Sequence, residues 1–372
     1  MNYHLARLRA VQEELGGDYI GIEIVGGEGD AEYKGLPFRD DERDGLNIIT
    51  LFPNQDFSQL SILQISQRLL QTLQQLSPEC VALCGYHRVE NLVALSWAKS
   101  TSRSAILMIA SKQDDAPRHY WQEWLKGLIV KQFDGYLVGG STQRQYMSAL
   151  GAPDNRIFEG YDVVDNALFA EAAAAARQNE QQLRLDLGLP SRYFMAACRF
   201  VSKKNLPLLL EAYHLYRQTS TTAWSLVICG GGPLEAEVRQ IIKDQQIPDV
   251  LFPGFHKSKE LGTYYGLASC FILPSIQEQW GLVVNEAMAA GLPVLVSQTS
   301  GCAPDLVQEG VNGSTFDPTN SMQLAELMEE IAQSGDSLNH MGTASQKLIE
   351  RHSPDVFGKN LVLTMKAAQQ RT

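Results

Sequence analysis

Long hydrophobic runs are missing from this sequence. No stretch approaches the ~18 apolar residues that a membrane-spanning helix needs, and the opening MNYHLARLRAVQEELGG carries charges at helical spacing where a leader would be apolar. Positive charge is scarce too. Against 42 Asp and Glu stand 31 Lys and Arg, and the net charge of -11 has the wrong sign for neutralising phosphates along a nucleic acid. No nucleic acid is expected as a partner. The six cysteines (Cys80, Cys84, Cys198, Cys229, Cys270 and Cys302) mostly sit in apolar runs such as FMAACRF and SLVICGG, and no CxxC pair suggests a zinc site. They read as reduced, mostly buried thiols. No GxGxxG occurs, which disfavours hydride chemistry on a dinucleotide fold. The absences together point to a soluble intracellular protein.

What is present is ordinary globular composition: 44% apolar and 20% charged residues with 30 Gly and 15 Pro, so neither disorder nor a collagen-like repeat fits. A length of 372 residues suits two domains of ~150–200 residues each. Short β-rich runs alternate with longer segments of helical periodicity, which predicts α/β construction on two parallel sheets. In the first half the runs are Tyr19 to Val25, Leu46 to Phe52, Cys80 to Cys84, Ala105 to Ala110 and Gly135 to Val138. In the second half they are Tyr193 to Cys198, Trp224 to Cys229, Val250 to Phe252, Cys270 to Leu273 and Val294 to Ser297. Between the halves FAEAAAAARQNEQQLRLDLGLPSR reads as an exposed helix closed by Gly188 and Pro190, with the domain boundary near Leu189. The first element is a helix, Leu5 to Leu15, where such a sheet normally opens on a strand; that strand is expected to be missing, and an upstream-extended form is expected to be the more stable.

The densest constellation is PSIQEQWGLVVNEAMAAGLPVLVS, from Pro274 to Ser297. Glu278 follows a strand, at the carboxyl edge where open α/β sheets bind ligands, and Glu286 falls about one turn inside the next helix. Backbone N–H groups near Gly281 and Leu282 would open that helix and suit a phosphate. Two carboxylates beside such a cradle suit the hydroxyls of a sugar and a ribose. A lone pair of glutamates at this spacing is equally well a solvated helix face.

The segment resembles the donor-binding motif of family-four retaining glycosyltransferases, which is Glu, seven residues, Glu. ACRFVSKKNLPLLLEAY is similar to that family's Gly-Arg-Leu…Lys-Gly segment, with Arg199 and Lys204 matching its diphosphate-holding pair and Cys198 replacing the usual Gly. VICGGGPLEAEV resembles its Gly-x-Gly-Pro turn around Gly231, and VLFPGFHKSKEL its strand and loop flanking the nucleotide base, with Phe255 and His256. Arg192 to Pro318 matches in order and spacing, and Asn155 to Phe169 matches more loosely, with Asp165 as the family's Asp.

The resemblance implies the GT-B fold, two Rossmann-like domains with parallel sheets facing a central cleft. Residues 1–189, joined by a final helix at 356–372, would take the acceptor, and residues 190–355 would take the donor. The implied reaction moves a sugar from a UDP- or GDP-sugar to a hydroxyl acceptor, itself a sugar or lipid-linked, with retention at the anomeric carbon. Arg199 and Lys204 would neutralise the departing diphosphate, Glu278 would hold the transferred sugar, and Glu286 the ribose. No cofactor is implied, and no two aspartates lie two positions apart, so the DxD metal clamp of the other major glycosyltransferase architecture is absent and no metal is expected. A sugar-nucleotide epimerase, a sugar phosphorylase and a non-catalytic partner subunit are alternatives on the same scaffold. The implied location is cytoplasmic, with peripheral contact at the inner membrane face.

The acceptor side is less marked. His4, His87, Ser111, Asp114 and Arg118 are its candidates, Ser111 standing where family members often carry a His. A lone histidine is more often structural. In RHYWQEWLKGLIVKQF, Trp121, Trp124, Leu125, Leu128, Ile129 and Phe133 share one helical face with Lys126 and Lys131 nearby. A buried core face is favoured over an interfacial helix on anionic lipid, since helices covering sheets are far commoner.

Overall fold

The computed structural model describes residues 2–26, 45–115 and 118–370. By its internal contacts the chain divides into two units, Met1–Tyr161 with Pro354–Thr372, and Asp162–Ser353. The division lies ahead of the Leu189 boundary read from composition. The reason is packing: the Ala-rich segment is two helices broken at Asn179, and the first of them buries Phe169, Ala173 and Ala176 within the second unit. Only the shorter second helix leaves no side chain buried, and Gly188 closes it in the left-handed conformation at φ 63°.

The first unit opens with α1 (Asn2–Leu15), then β1 (Gly21–Val25), β2 (Ile48–Phe52), α2 (Ile62–Leu76), β3 (Cys80–Cys84) and α3 (Val89–Ser100). It continues through β4 (Ser104–Ile109), α4 (Tyr120–Val130), β5 (Gly135–Val138), α5 (Ser141–Ala149) and the two-residue β6 (Ile157–Phe158). Local sequence explains the boundaries: at α2, Ser61 and Gln64 form a reciprocal capping box that satisfies two orphan N–H groups. Its strands form two parallel pieces, β1-β2 and β3-β4-β5-β6, and no ladder joins β1 to β3 among the described residues. β4 and β5 are wholly buried, whereas β1 is half-buried along its length.

The reading of the α4 stripe as a core face holds at its end, where Ile129 packs on the core and Phe133 is buried, and is overturned for the rest. Trp121, Trp124, Leu125 and Leu128 are 64%, 61%, 48% and 42% exposed, and the helix seats on the unit through Gly127 and Val130, with Phe133 just beyond. Periodicity located the stripe correctly and its direction wrongly, because a small residue, Gly127, lets the opposite face approach the unit.

The second unit runs α6 (Asn166–Gln178), α7 (Glu180–Leu187), β7 (Tyr193–Arg199), α8 (Leu206–Thr219), β8 (Ser225–Gly231), α9 (Glu235–Asp244) and β9 (Val250–Gly254). Then come α10 (Ser258–Leu267), β10 (Cys270–Leu273), α11 (Leu282–Ala289), β11 (Val294–Ser297), α12 (Ala303–Leu306), β12 (Gly313–Phe316), α13 (Ser321–Gln333) and α14 (Ser337–Ile349). The last helix, α15 (Pro354–Gln369), groups with the first unit. One six-stranded sheet in the order β12-β11-β10-β7-β8-β9, parallel throughout, forms the frame of the second unit. The apolar runs of β7, β8, β10 and β11 are buried on both faces, as crossover helices require. Phe194 packs against Trp224 at 4.9 Å and edge-on to Tyr216 at 5.4 Å in its core. The strands read from sequence are all present to within two residues at either end; β6 and β12 are additional.

Candidate functional site

Strand order places the site. From β7 the chain steps one way to β8 and β9, then returns to lay β10, β11 and β12 on the other side, so the order switches between β7 and β10. All six strands are parallel, hence their carboxyl ends share one edge, and the loops diverging at a switch leave a crevice for ligand. Arg199 closes β7 and is exposed, and Lys204 lies on the 3₁₀ turn Ser202–Lys204 that follows. Glu278 comes from the loop after β10.

The Lys204 ammonium and the Glu278 carboxylate form a direct ion pair across that switch, with side chains only 15% and 14% exposed. Ser275 Oγ donates to the same Glu278 oxygen at 3.3 Å. The loop is held from behind: Gly301 N donates to Glu278 O at 3.1 Å, Cys302 N to Trp280 O at 3.1 Å, and Ile276 N to Lys203 O at 2.9 Å. Buried Trp280 donates its indole N–H to Asn285 Oδ1 at 2.9 Å, fixing the loop to α11. Gly281 caps α11 at φ 111°, and a Cβ there would lie 2.9 Å from Leu273 Cδ2, so only glycine lets the chain turn into the helix at this point. Leu282 is the first residue of α11.

Glu286, inside α11, accepts a hydrogen bond from Tyr265 Oη of α10 at 2.9 Å. Desolvation pushes its carboxyl up to about 7, against the opposing pull of the tyrosine hydrogen bond. One carboxylate oxygen is thus engaged by Tyr265. Tyr265 in turn packs edge-on to Phe169 at 5.9 Å, while Asp165 caps α6 by accepting from Leu168 N at 3.0 Å. The loosely matching segment therefore contributes support from below the site.

The glycine turn after β8 has a structural cause. Gly230 sits at φ 130°, and a Cβ on it would fall 1.9 Å from the Cys198 carbonyl oxygen, so the turn lets β8 lie tight against β7 with Gly231 at its end. Beyond β9, Phe255 is 62% exposed. His256 stacks on Tyr264 at 4.5 Å, with Nδ1 3.7 Å from Glu260 and a buried Nε2 that has no hydrogen-bond partner among the described residues. Arg199, Lys204, Gly231, Phe255, His256, Glu278, Gly281, Leu282 and Glu286 therefore all lie on or just beyond the carboxyl ends of β7, β8, β9 and β10. Tyr265 and Ser275 are the contributors that motif reading missed.

Of the first-unit candidates, Ser111, Asp114 and Arg118 share the β4–α4 loop, while His4 and His87 stand on other elements. His4 is exposed on the first turn of α1 and packs on Tyr3 at 4.3 Å. His87 is exposed after β3, and Ser111 is half-buried after β4. Asp114, 66% exposed, pairs with Lys112, a cation whose side chain is 4% exposed and which sequence reading passed over. Arg118 turns inward: Nε donates to Gln113 O at 2.7 Å and the guanidinium lies 4.7 Å from the Tyr146 ring centroid. Its geometry braces the β4–α4 loop. All six thiols are free, with Cys229, Cys270 and Cys302 buried and Cys84 exposed. Among the described residues no group of three or more His, Cys, Asp or Glu side chains is arranged to hold a metal, and no helix is long and apolar enough to cross a membrane.

Residues 178–348, all within the second unit, match the family model described as glycosyl transferases group 1. The GDP-mannose-dependent α-(1-6)-phosphatidylinositol monomannoside mannosyltransferase of Mycobacterium tuberculosis is 31% identical over 159 residues, covering 41% of this chain and 41% of that protein. The chain thus spans about four-tenths of the length of the curated relatives it matches. A glycosyltransferase from Rickettsia africae aligns over 99% of this chain and 94% of its own, with TM-score 0.76 at 14% identity. HepE of Anabaena, solved in complex with UDP-glucose, aligns over 88% and 87% with TM-score 0.68 at 18% identity. These likenesses establish the GT-B fold, two Rossmann-like units each built on parallel strands.

Proposed function

We propose that the chain is a retaining glycosyltransferase that takes a nucleoside-diphosphate sugar on its second unit and transfers the sugar to a hydroxyl acceptor. The observation that carries this reading is the Lys204–Glu278 pair spanning the β7/β10 switch, with Glu286 on the helix that follows. Cation and carboxylate already adjacent in a sheltered site suit a ligand carrying both phosphate and hydroxyls, because each group of the pair has a matching counterpart on it.

In this reading Arg199 and Lys204 neutralise the charge that grows on the leaving diphosphate, helped by the N–H groups opening α11 at Gly281 and Leu282. Glu278 accepts from hydroxyls of the transferred sugar, and Glu286 from the ribose, with Tyr265 holding its other oxygen. Phe255 offers an exposed face to the base, beside His256, and Gly231 lines the phosphate side. The bond from the anomeric carbon to the β-phosphate oxygen breaks, the bond to the acceptor oxygen forms on the same face, and the leaving phosphate takes the acceptor proton. Side-chain cations would then do the work of a metal, which agrees with the absence of DxD from the sequence.

UDP- and GDP-sugars are the donor classes, since HepE was solved with UDP-glucose and the mycobacterial relative is GDP-mannose-dependent. That relative's phosphatidylinositol mannoside supports a lipid-linked acceptor, with His4, His87, Ser111, Asp114 and Arg118 on the acceptor side, and a cytoplasmic enzyme working peripherally at a membrane face. Donor hydrolysis tests the reading: UDP- and GDP-sugars are screened with and without EDTA, and one donor should be hydrolysed equally well in both. A product that is free epimerised nucleotide sugar or sugar phosphate would replace transferase by epimerase or phosphorylase. Weak nucleotide binding by calorimetry with no turnover would leave a non-catalytic partner.

A further inference from the structure

Among the described residues nothing covers the exposed face of α4. Tyr120 is 90% exposed, and with Trp121, Trp124, Leu125 and Leu128 it makes one stripe at helical spacing, bearing two indoles, a phenol and two leucines. Such a contiguous stripe marks an interaction surface, since folded chains rarely leave one to water. Its chemistry narrows the partner. Tryptophan and tyrosine favour the depth of lipid headgroups, where the ring is apolar and its N–H or O–H stays wet, and leucine favours the acyl boundary beneath.

Charge on this face runs against that of the whole chain. Exposed Lys131 stands at the C-terminal end of the stripe. The acid within it is turned away: Glu123 accepts from Lys126 Nζ at 2.7 Å and from buried Tyr146 Oη at 2.8 Å. In a chain of net charge -11 the stripe therefore presents aromatic and cationic groups, and no acid without a cation beside it.

We propose that α4 is a membrane-docking helix that lies flat in the interface of a bilayer bearing anionic headgroups, with Trp121 and Trp124 as its anchors. This gives a specific face to the peripheral location proposed above, and it is tested apart from the transferase reading. A single amphipathic helix gives reversible attachment, so the protein exchanges between solution and membrane.

The chain carries its own probes. Trp97, Trp224 and Trp280 are 7%, 8% and 2% exposed, so of its five tryptophans only Trp121 and Trp124 can meet a quencher placed in lipid. The full-length protein is mixed with vesicles of phosphatidylcholine alone, or of phosphatidylcholine and phosphatidylglycerol in equal parts, with and without brominated acyl chains. Expected are co-sedimentation with the anionic vesicles, a blue shift of tryptophan emission, and quenching by the brominated lipid. Trp121→Ser combined with Trp124→Ser should lower partitioning at least about tenfold, with melting temperature and donor hydrolysis in solution unchanged. No co-sedimentation, or co-sedimentation without quenching, overturns the proposal. So does a dimer in sedimentation velocity that the double variant dissolves, which would assign the stripe to a second copy of the chain.

Discussion

The two units answer the same architectural problem differently. The second encloses one uninterrupted six-stranded sheet whose central strands are buried on both faces, and it contains the whole family match. The first divides its strands between two pieces, leaves β1 half-buried, and carries its polar candidates on α1, on the loop after β3 and on the β4–α4 loop. A site for one chemically fixed ligand class needs its groups held at set positions, and a switch in a continuous parallel sheet provides them. In the proposed reading the first unit meets a variable acceptor, which sets no such constraint and leaves loops over a fixed scaffold free to differ.

The comparison breaks first if the second unit does not dominate the chemistry. Arg199→Ala and Lys204→Ala should each lower turnover about 10²-fold or more, because in the proposed mechanism they meet charge that is greatest in the transition state. Steady-state donor hydrolysis is the measurement. A raised Michaelis constant with turnover intact would make both residues ground-state anchors and would remove the catalytic role assigned here.

The same contrast explains what was legible in the sequence. Strands such as Cys270–Leu273 and Val294–Ser297 stood out as apolar runs because both faces are buried, whereas β12 was hidden in GSTF, whose Gly, Ser and Thr give no such run. Glu278, Lys204 and Arg199 could be read because each follows a strand in a recognisable order. Tyr265 could not, since its bond to Glu286 joins two helices across 21 positions and no local pattern announces it. For α4 the period was clear and its outward direction was not, because period alone does not say which side meets the sheet.

A second effect concerns what the second unit sacrifices at the candidate site. Desolvation raises the Glu286 carboxyl from 4.5 to about 7 in the folded protein. Below pH ~4.5 both folded and unfolded states hold the proton; between there and about 7 the unfolded state releases it first, so this group's contribution to stability falls as pH rises through that window. The fall is about 3 kcal/mol at most. Glu286→Gln removes the titration, so relative to the native chain it should gain stability between pH 5 and pH 8, as read from urea midpoints at both. An unchanged difference would mean that the carboxyl is solvated and titrates normally.

The smallest expected effect lies in the first unit and tests its independence from donor chemistry. Asp114 is 66% exposed and Lys112, its ion-pair partner, has a side chain only 4% exposed, so the pair's worth is set by a sheltered cation that would otherwise lack a counter-charge. Solvent screens the exposed end, and Asp114→Ala should cost about 1 kcal/mol or less, visible as a small shift in the urea midpoint. Donor hydrolysis should be unaffected, because no group assigned to the nucleotide sugar lies in this loop. Transfer to an added acceptor should fall if Asp114 and its neighbours line the acceptor side. A loss of donor hydrolysis matching the loss of transfer would erase the division of labour between the units, since a first-unit carboxylate would then be acting on the donor itself.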